Sequence, residues 1–156
     1  MAKLFETSEE FVELIENKYS ETGLDTMGIG LKVISVTKAK DVLKVSKTSA
    51  VTSFITKENC ESIIVTVYEE ALDRLTDDVR EMLVEMVLSN VSYDNEKDKL
   101  NIETNPYVQI FNMRKKYGEK VVDNLELAYL TIQQIEDEER QRKEEEKERK
   151  KATKNG

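Results

Sequence analysis

The chain lacks several residue types on which many enzymes and secreted proteins depend. Its 156 residues include no histidine, no tryptophan, one cysteine, one proline and five glycines. A single cysteine excludes an internal disulfide and is typical of a reducing cytosol. So few glycines and prolines argue against a loop-rich fold. No apolar run approaches the roughly 18 residues of a membrane span, and the N-terminus lacks a signal-peptide pattern. The composition therefore predicts a non-secreted protein that makes no membrane contact.

Acidic residues outnumber basic ones, 32 to 24, which gives a net charge of −8. Segment 136–156 contains eight residues of each sign, so the net charge belongs to the rest of the chain. An acidic body repels phosphates, which argues against nucleic acid as a partner and favours a protein partner. We predict a globular domain over 1–135 and a charged, solvent-exposed tail over 136–156 that is helical or disordered.

Hydrophobic periodicity and capping signals predict a chain of helices and short strands. Thr7 and Glu10 have capping-box spacing and open a first helix that ends at Gly23. Segment 62–68 is β-branched and almost continuously apolar, so we expect a strand buried on both faces. The other predicted elements are strands at 29–37, 42–45 and 50–55, a short helical turn at 69–75, a central helix at 77–91 capped by Thr76, and a hairpin of 92–94 with 100–102.

Two further helices complete the predicted α+β fold, a small sheet packed by a central helix with a long charged C-terminal helix. Asn105 and Pro106 have the residue types of a helix cap and first turn. The apolar face of this helix is predicted to be Tyr107, Ile110, Phe111 and Met113. The last helix begins near Glu119, and its predicted apolar stripe is Val121, Val122, Leu125, Ala128, Tyr129, Ile132 and Ile135.

Glu85 is the strongest candidate for chemistry, because it is the one carboxylate within the apolar run 82–88 of the central helix. A catalytic glutamate on a helix needs a metal-bound water, and histidines at helical spacing would hold that metal. Val84 and Leu88 occupy the flanking positions and bind no metal. Glu85 also belongs to a polar stripe with Asp78, Glu81, Ser89 and Ser92, which favours a structural role. A carboxylate site of Glu81 and Glu85 for calcium, magnesium or manganese stays open.

The remaining candidate residues fit structural roles better than catalytic ones. Cys60 has acidic neighbours and no histidine to activate it. Ser46, Ser49 and Ser53 lie near lysines and could suggest a serine–lysine dyad. Both residue types are common in basic loops, which favours a structural role. Gly28 and Gly30 precede a strand and lack the helix that a phosphate loop requires. The lysines of segment 38–47 have no interleaved aromatic residues and are typical of a solvated loop; they are Lys38, Lys40, Lys44 and Lys47.

The layout of residues 5–118 resembles the phage metallopeptidase family, small zincin-like proteins of bacteriophages and prophages. The resemblance lies in the Lys18-Tyr19 segment ending the first helix, in the strand and lysine-rich loop that follow, and in the apolar strand leading to a turn at 63–75. The family pattern L-s-x-e-x-r-x-x-L-l-x-H-E-L-x-H is then met by residues 75–88, which read LTDDVREMLVEMVL, and Tyr93-Asp94 opens the hairpin.

Placed on that pattern, this chain keeps the family's glutamate and lacks all three zinc-ligand histidines. Val84 and Leu88 stand at the first two ligand positions, with Glu85 as the glutamate. The third ligand position falls in Asn105-Pro106-Tyr107-Val108, which again has no histidine. The resemblance thus implies a zincin-like scaffold with no metal, no cofactor and no catalytic residue.

Three classes of function follow from these observations. The first is a non-enzymatic phage protein that acts through protein–protein binding in the host cytoplasm or in the virion. It would be a virion or assembly component, or an inhibitor of a host factor, and homo-oligomers are compatible with it. The second is a hydrolase with a carboxylate-based metal site. The third is an acidic nucleic-acid mimic or regulator.

Overall fold

The computed structural model describes residues 2–48, 55 and 62–155, and it confirms an α+β fold with a small mixed sheet and a long C-terminal helix. The predicted strand at 50–55 falls outside the described residues except for Ile55, and Ser49, Ser53 and Cys60 also lie outside them. The elements are β1 (Leu4–Phe5), α1 (Glu9–Thr22), β2 (Gly30–Val36), β3 (Leu43–Lys47), β4 (Ser62–Val67), α2 (Glu69–Asp73), α3 (Asp77–Ser89), β5 (Val91–Asp94), β6 (Lys99–Ile102), α4 (Pro106–Tyr117) and α5 (Lys120–Asn155).

The main sheet has the strand order β1-β2-β4-β3. Strands β2 and β4 are parallel, with Leu31 opposite Ile63 and Val33 opposite Val65, while β1 and β3 pair antiparallel at the two edges. Strands β5 and β6 form the separate hairpin that the sequence predicts. The sheet is therefore open at both edges within the described residues, and helices must cover its apolar face.

The two faces of β4 differ in burial. Ile63, Val65 and Val67 are fully buried in the core, whereas Ile64 and Thr66 on the other face are only partly buried. The prediction that this strand is buried on both faces is therefore correct for one face alone. Burial alternates along the strand because helices pack against a single face of the sheet.

Helix α3 lies at the centre of the core, as predicted. Met82, Val84 and Leu88 are almost completely buried and belong to the same core cluster as β4 and α1. The helix ends at Ser89, two residues before the predicted end, because Val91 already pairs with Ile102 in the hairpin.

The start of α1 is not the predicted capping box. Ser8, not Thr7, is the N-cap residue, and its side chain makes no capping hydrogen bond. Instead the Glu69 carboxylate accepts hydrogen bonds from the Ser8 backbone N–H at 2.6 Å and from the Ser35 hydroxyl at 2.9 Å. Ser35 Oγ also lies 2.8 Å from the Thr7 hydroxyl. The carboxylate that accepts from the N-cap backbone N–H is therefore Glu69, 61 residues from Ser8, and not Glu10 as the local spacing predicts.

Replacing Glu69 by alanine is expected to lower the free energy of unfolding by about 1–3 kcal/mol. The Ser8 amide loses its acceptor, and the buried Ser35 hydroxyl is left with the Thr7 hydroxyl as its partner. Urea denaturation of the variant measures this loss. Glu70→Ala is the matched control, since Glu70 makes only an exposed ion pair with Arg74. Equal destabilisation by the two substitutions would contradict the role given to Glu69.

Helix α4 begins where it is predicted to begin, but the side that it turns towards the core is not the predicted one. Asn105 caps it by accepting a hydrogen bond from the Tyr107 N–H at 3.0 Å, with Pro106 in the first turn. Met113 is buried, whereas Tyr107 is 82% exposed and Phe111 64% exposed. The predicted apolar face was therefore wrong for these two aromatic residues. The inward side is formed by Ile110, Met113 and Tyr117.

Helix α5 runs without a break across the predicted domain boundary between residues 135 and 136. Val121, Ala128, Ile132 and Ile135 are buried as predicted, but Val122 and Tyr129 are exposed. Beyond Ile135 the helix still meets the body, because Arg74 donates to both Glu138 oxygens at 2.7 and 3.1 Å. Among the described helices there is none with the length and apolar character needed to cross a membrane.

Candidate functional site

Glu85 projects from α3 into a small cluster of cations contributed by two other helices. Lys18 of α1 donates to its carboxylate at 2.8 Å, and Lys116 of α4 donates to both oxygens at 2.8 and 3.0 Å. The Tyr117 hydroxyl also hydrogen-bonds this carboxylate. The Glu85 and Lys18 side chains are 14% and 16% exposed. The four residues, called here the Glu85 cluster, therefore join three helices at one point.

The charges of the Glu85 cluster fix its protonation state. Burial alone would raise the pKa of Glu85, but the hydrogen bonds from Lys116, Lys18 and Tyr117 outweigh it and lower the pKa to about 2. The hydrogen bond to Glu85 raises the pKa of Lys18, and burial followed by the contact with Glu85 raises the pKa of Tyr117 to about 12. A general base works best with a pKa near the operating pH. The cluster is thus well suited to holding helices together and poorly suited to moving protons at neutral pH.

The three positions that the family resemblance assigns to zinc ligands do not share one environment. Val84 and Leu88 are 0% and 1% exposed in the core, whereas Tyr107 is 82% exposed. A side chain so exposed does not converge with two buried ones on a common ion. Within residues 2–48 and 62–155, moreover, no group of three acidic, cysteine or histidine residues could hold a metal.

The lysines and glycines singled out in the sequence have structural surroundings, and Lys44 and Lys47 lie in β3, so the predicted solvated loop is wrong for these two. Lys47 donates to the Leu100 carbonyl oxygen at 3.4 Å, which ties β3 to the hairpin. Gly28 ends a short 3-10 turn with a positive φ of 79°. At Gly30 a Cβ atom would lie 2.6 Å from the Ser62 hydroxyl oxygen on the neighbouring strand. A larger residue at this position would therefore force the buried Ser62 side chain to shift.

The outward side of α4 is the feature that the sequence patterns missed. Tyr107, Val108 and Phe111 are all exposed and fall on one side of the helix at spacings of one, three and four residues; we call them the α4 outer face. Lys115 lies 5.6 Å from the centre of the Phe111 ring, close enough for a cation–π contact. The α4 outer face is thus an exposed apolar patch with a cation at its edge.

Other parts of the surface carry depressions, of which two have partly apolar linings and a third, of about 590 Å³, has a charged lining between Lys38, Glu70 and the start of the tail. One of the first two, of about 130 Å³, lies between α3 and α5 and has a mainly apolar lining that includes Leu83, Met86 and Leu125. The other, of about 200 Å³, lies between α1 and α3; we call it the acidic cleft, and it is lined by Glu10, Phe11, Leu14, Asp77, Arg80 and Glu81.

Comparisons of the chain with protein-family models, with curated proteins and with solved structures gave no match. Function must therefore be argued from the residues themselves. Their geometry provides a rigid scaffold, an ion cluster that ties three helices together, and an exposed aromatic face on one of those helices.

Proposed function

We propose that this protein is a non-enzymatic binding protein that docks a protein partner on the α4 outer face. The observation that carries the proposal is the exposure of Tyr107 and Phe111, 82% and 64%, one turn apart on the same helix. Burying a large apolar side chain contributes roughly 1.5–3 kcal/mol. Aromatic residues also dominate the residues that carry binding energy at protein interfaces.

The anchoring of α4 supports this use of its outer face. Asn105 and Pro106 fix the start of the helix, Met113 is buried beneath it, and Lys116 and Tyr117 bind Glu85 near its end. A helix held at both ends has a backbone with little freedom left to lose on binding. Such preorganisation lowers the entropic cost of association.

We also propose, from the sequence layout alone, a phage protein on a metal-free zincin-like scaffold, acting in the host cytoplasm or the virion. Its partner would be a phage structural protein or a host protein. The hydrolase alternative would need at least two carboxylates converging with Glu85. Glu85 instead faces Lys18 and Lys116, so its contacts favour the binding role.

The test is affinity capture from phage-infected host cells and from purified particles with the double variant Tyr107→Ala, Phe111→Ala. We expect the wild-type protein to retain a partner that the variant loses, with affinity falling by about a hundredfold or more. The matched control is Tyr129→Ala with Leu130→Ala, which removes an exposed aromatic and an exposed aliphatic residue from α5. Equal loss in the control, or equal retention by the α4 variant, would contradict the assignment to α4.

A further inference from the structure

The α4 outer face lies beside positive charge in a negatively charged protein. Helix α4 contains Arg114, Lys115 and Lys116 and no acidic residue. Lys116 binds Glu85, and Arg114 makes an exposed ion pair with Glu119, which screening by water leaves weak. Lys115 lies beside the Phe111 ring. A partner that covers Tyr107 and Phe111 therefore meets positive charge at one end of the patch.

The acidic cleft has the opposite character. The residues that line the cleft include three exposed carboxylates, Glu10, Asp77 and Glu81, and one cation, Arg80. Phe11 and Leu14 form its apolar part, and the Arg80 guanidinium lies 5.3 Å from the centre of the Phe11 ring. Arg80 is already shared among Glu10, Asp73 and Asp77. The cleft is thus an apolar depression with an excess of negative charge around its rim.

We propose that the partner of the α4 outer face is a second copy of this chain, whose acidic cleft receives Tyr107 and Phe111 while Lys115 and Arg114 face its carboxylates. This inference rests on the proposed function, because it names the occupant of the same face. Charge complementarity favours a second copy, since an aromatic, basic face and an apolar, acidic cleft of this size occur on one molecule. Opposite charges of this kind set the register of an interface and speed association.

The positions of the two surfaces favour a closed dimer. Lys116 at the end of α4 binds Glu85, and Glu81 in the cleft lies one helical turn before Glu85 on α3. The cleft and the C-terminal end of α4 are therefore both next to the same stretch of α3 on each copy. In a dimer with two-fold symmetry, the α4 outer face of each copy packs into the acidic cleft of the other copy. Both faces and both clefts are then covered.

A charge-swap experiment tests the dimer on the full-length protein. Variant A carries Arg114→Glu and Lys115→Glu, and variant B carries Glu10→Lys and Glu81→Lys. In each variant alone the charges at the face and at the cleft have the same sign. We therefore expect the dissociation constant of the dimer to be at least about tenfold higher than for the wild type. In an equimolar mixture of A and B both contacts have opposite signs again, and sedimentation velocity should show the dimer restored. The restored dimer should weaken as salt is added.

The control reverses two exposed tail lysines, Lys147→Glu with Lys151→Glu, and changes the net charge by the same amount as variant A. This control should dimerise like the wild type, and thermal melting checks that every variant folds. A wild-type protein that stays monomeric at all concentrations, or a mixture of A and B that stays monomeric, would overturn the dimer. Loss of a different captured protein by Tyr107→Ala, Phe111→Ala in either case would leave the proposed function standing and remove this inference alone.

Discussion

Glu85→Gln is expected to lower the free energy of unfolding by about 2 kcal/mol at neutral pH, because the half-buried Lys18 loses its 2.8 Å partner and is left with the 3.9 Å contact to the exposed Glu21. The difference from the wild type should depend on pH. Folding lowers the pKa of Glu85 from 4.5 to about 2, so its contribution is fully present above pH 4.5 and is lost as the pH falls through about 2. Urea denaturation of both proteins between neutral pH and pH 2 measures this convergence.

Glu81→Gln is the control for that experiment, since Glu81 is exposed one turn earlier on the same helix. Its effect should stay within about 0.5 kcal/mol at every pH. If Glu85→Gln were as harmless as Glu81→Gln at neutral pH, the cluster would not be a structural tie. A gap between Glu85→Gln and the wild type that persisted unchanged at pH 2 would show that charge is not its cause.

Placing histidines at two positions that the resemblance assigns to zinc ligands, by Val84→His with Leu88→His, is expected to unfold most of the protein. Both positions are buried in a packed core, so each imidazole brings overpacking and an unsatisfied polar group, each costing on the order of 1–3 kcal/mol. Domains of this size have total stabilities of about 5–15 kcal/mol. Zinc should not rescue the fold, since Tyr107 at the third ligand position is on the surface. Circular dichroism with and without zinc measures both results.

Two histidines on the exposed tail, Glu144→His with Glu148→His, provide the matched control at the same spacing. This pair should leave the melting temperature unchanged, which shows that added imidazoles do not themselves unfold the chain. Stoichiometric zinc binding that raised the melting temperature of the core variant would mean that Val84 and Leu88 still line a usable metal site. The account of α3 as a purely structural helix would then be wrong.

The sequence predicted those elements whose signals are local. Segment 62–68 has a β-branched composition, and the Asn105-Pro106 pair is a cap signal within two residues, so both were placed correctly. The Glu85 cluster could not be read in this way. Its partners Lys18 and Lys116 are 67 and 31 residues distant, and no local pattern links them to α3.

The outer face of α4 was missed for a different reason. This helix has apolar residues on two sides, Tyr107, Val108 and Phe111 on one and Ile110, Met113 and Tyr117 on the other. Periodicity shows that each set shares a side but not which side meets the core. In the folded protein Met113 is buried, whereas Tyr107 and Phe111 are exposed. Aromatic residues on both sides of one short helix were the available signal.

The central claim is that function lies on the outward side of α4 and not at the carboxylate of α3. Affinity capture with the wild type, Glu85→Gln and the double variant Tyr107→Ala, Phe111→Ala, all at a temperature where each is folded, compares the two directly. The account predicts that Glu85→Gln keeps most of the partner while the aromatic variant loses it. The account would be contradicted if the aromatic variant captured the partner fully while folded Glu85→Gln did not capture it.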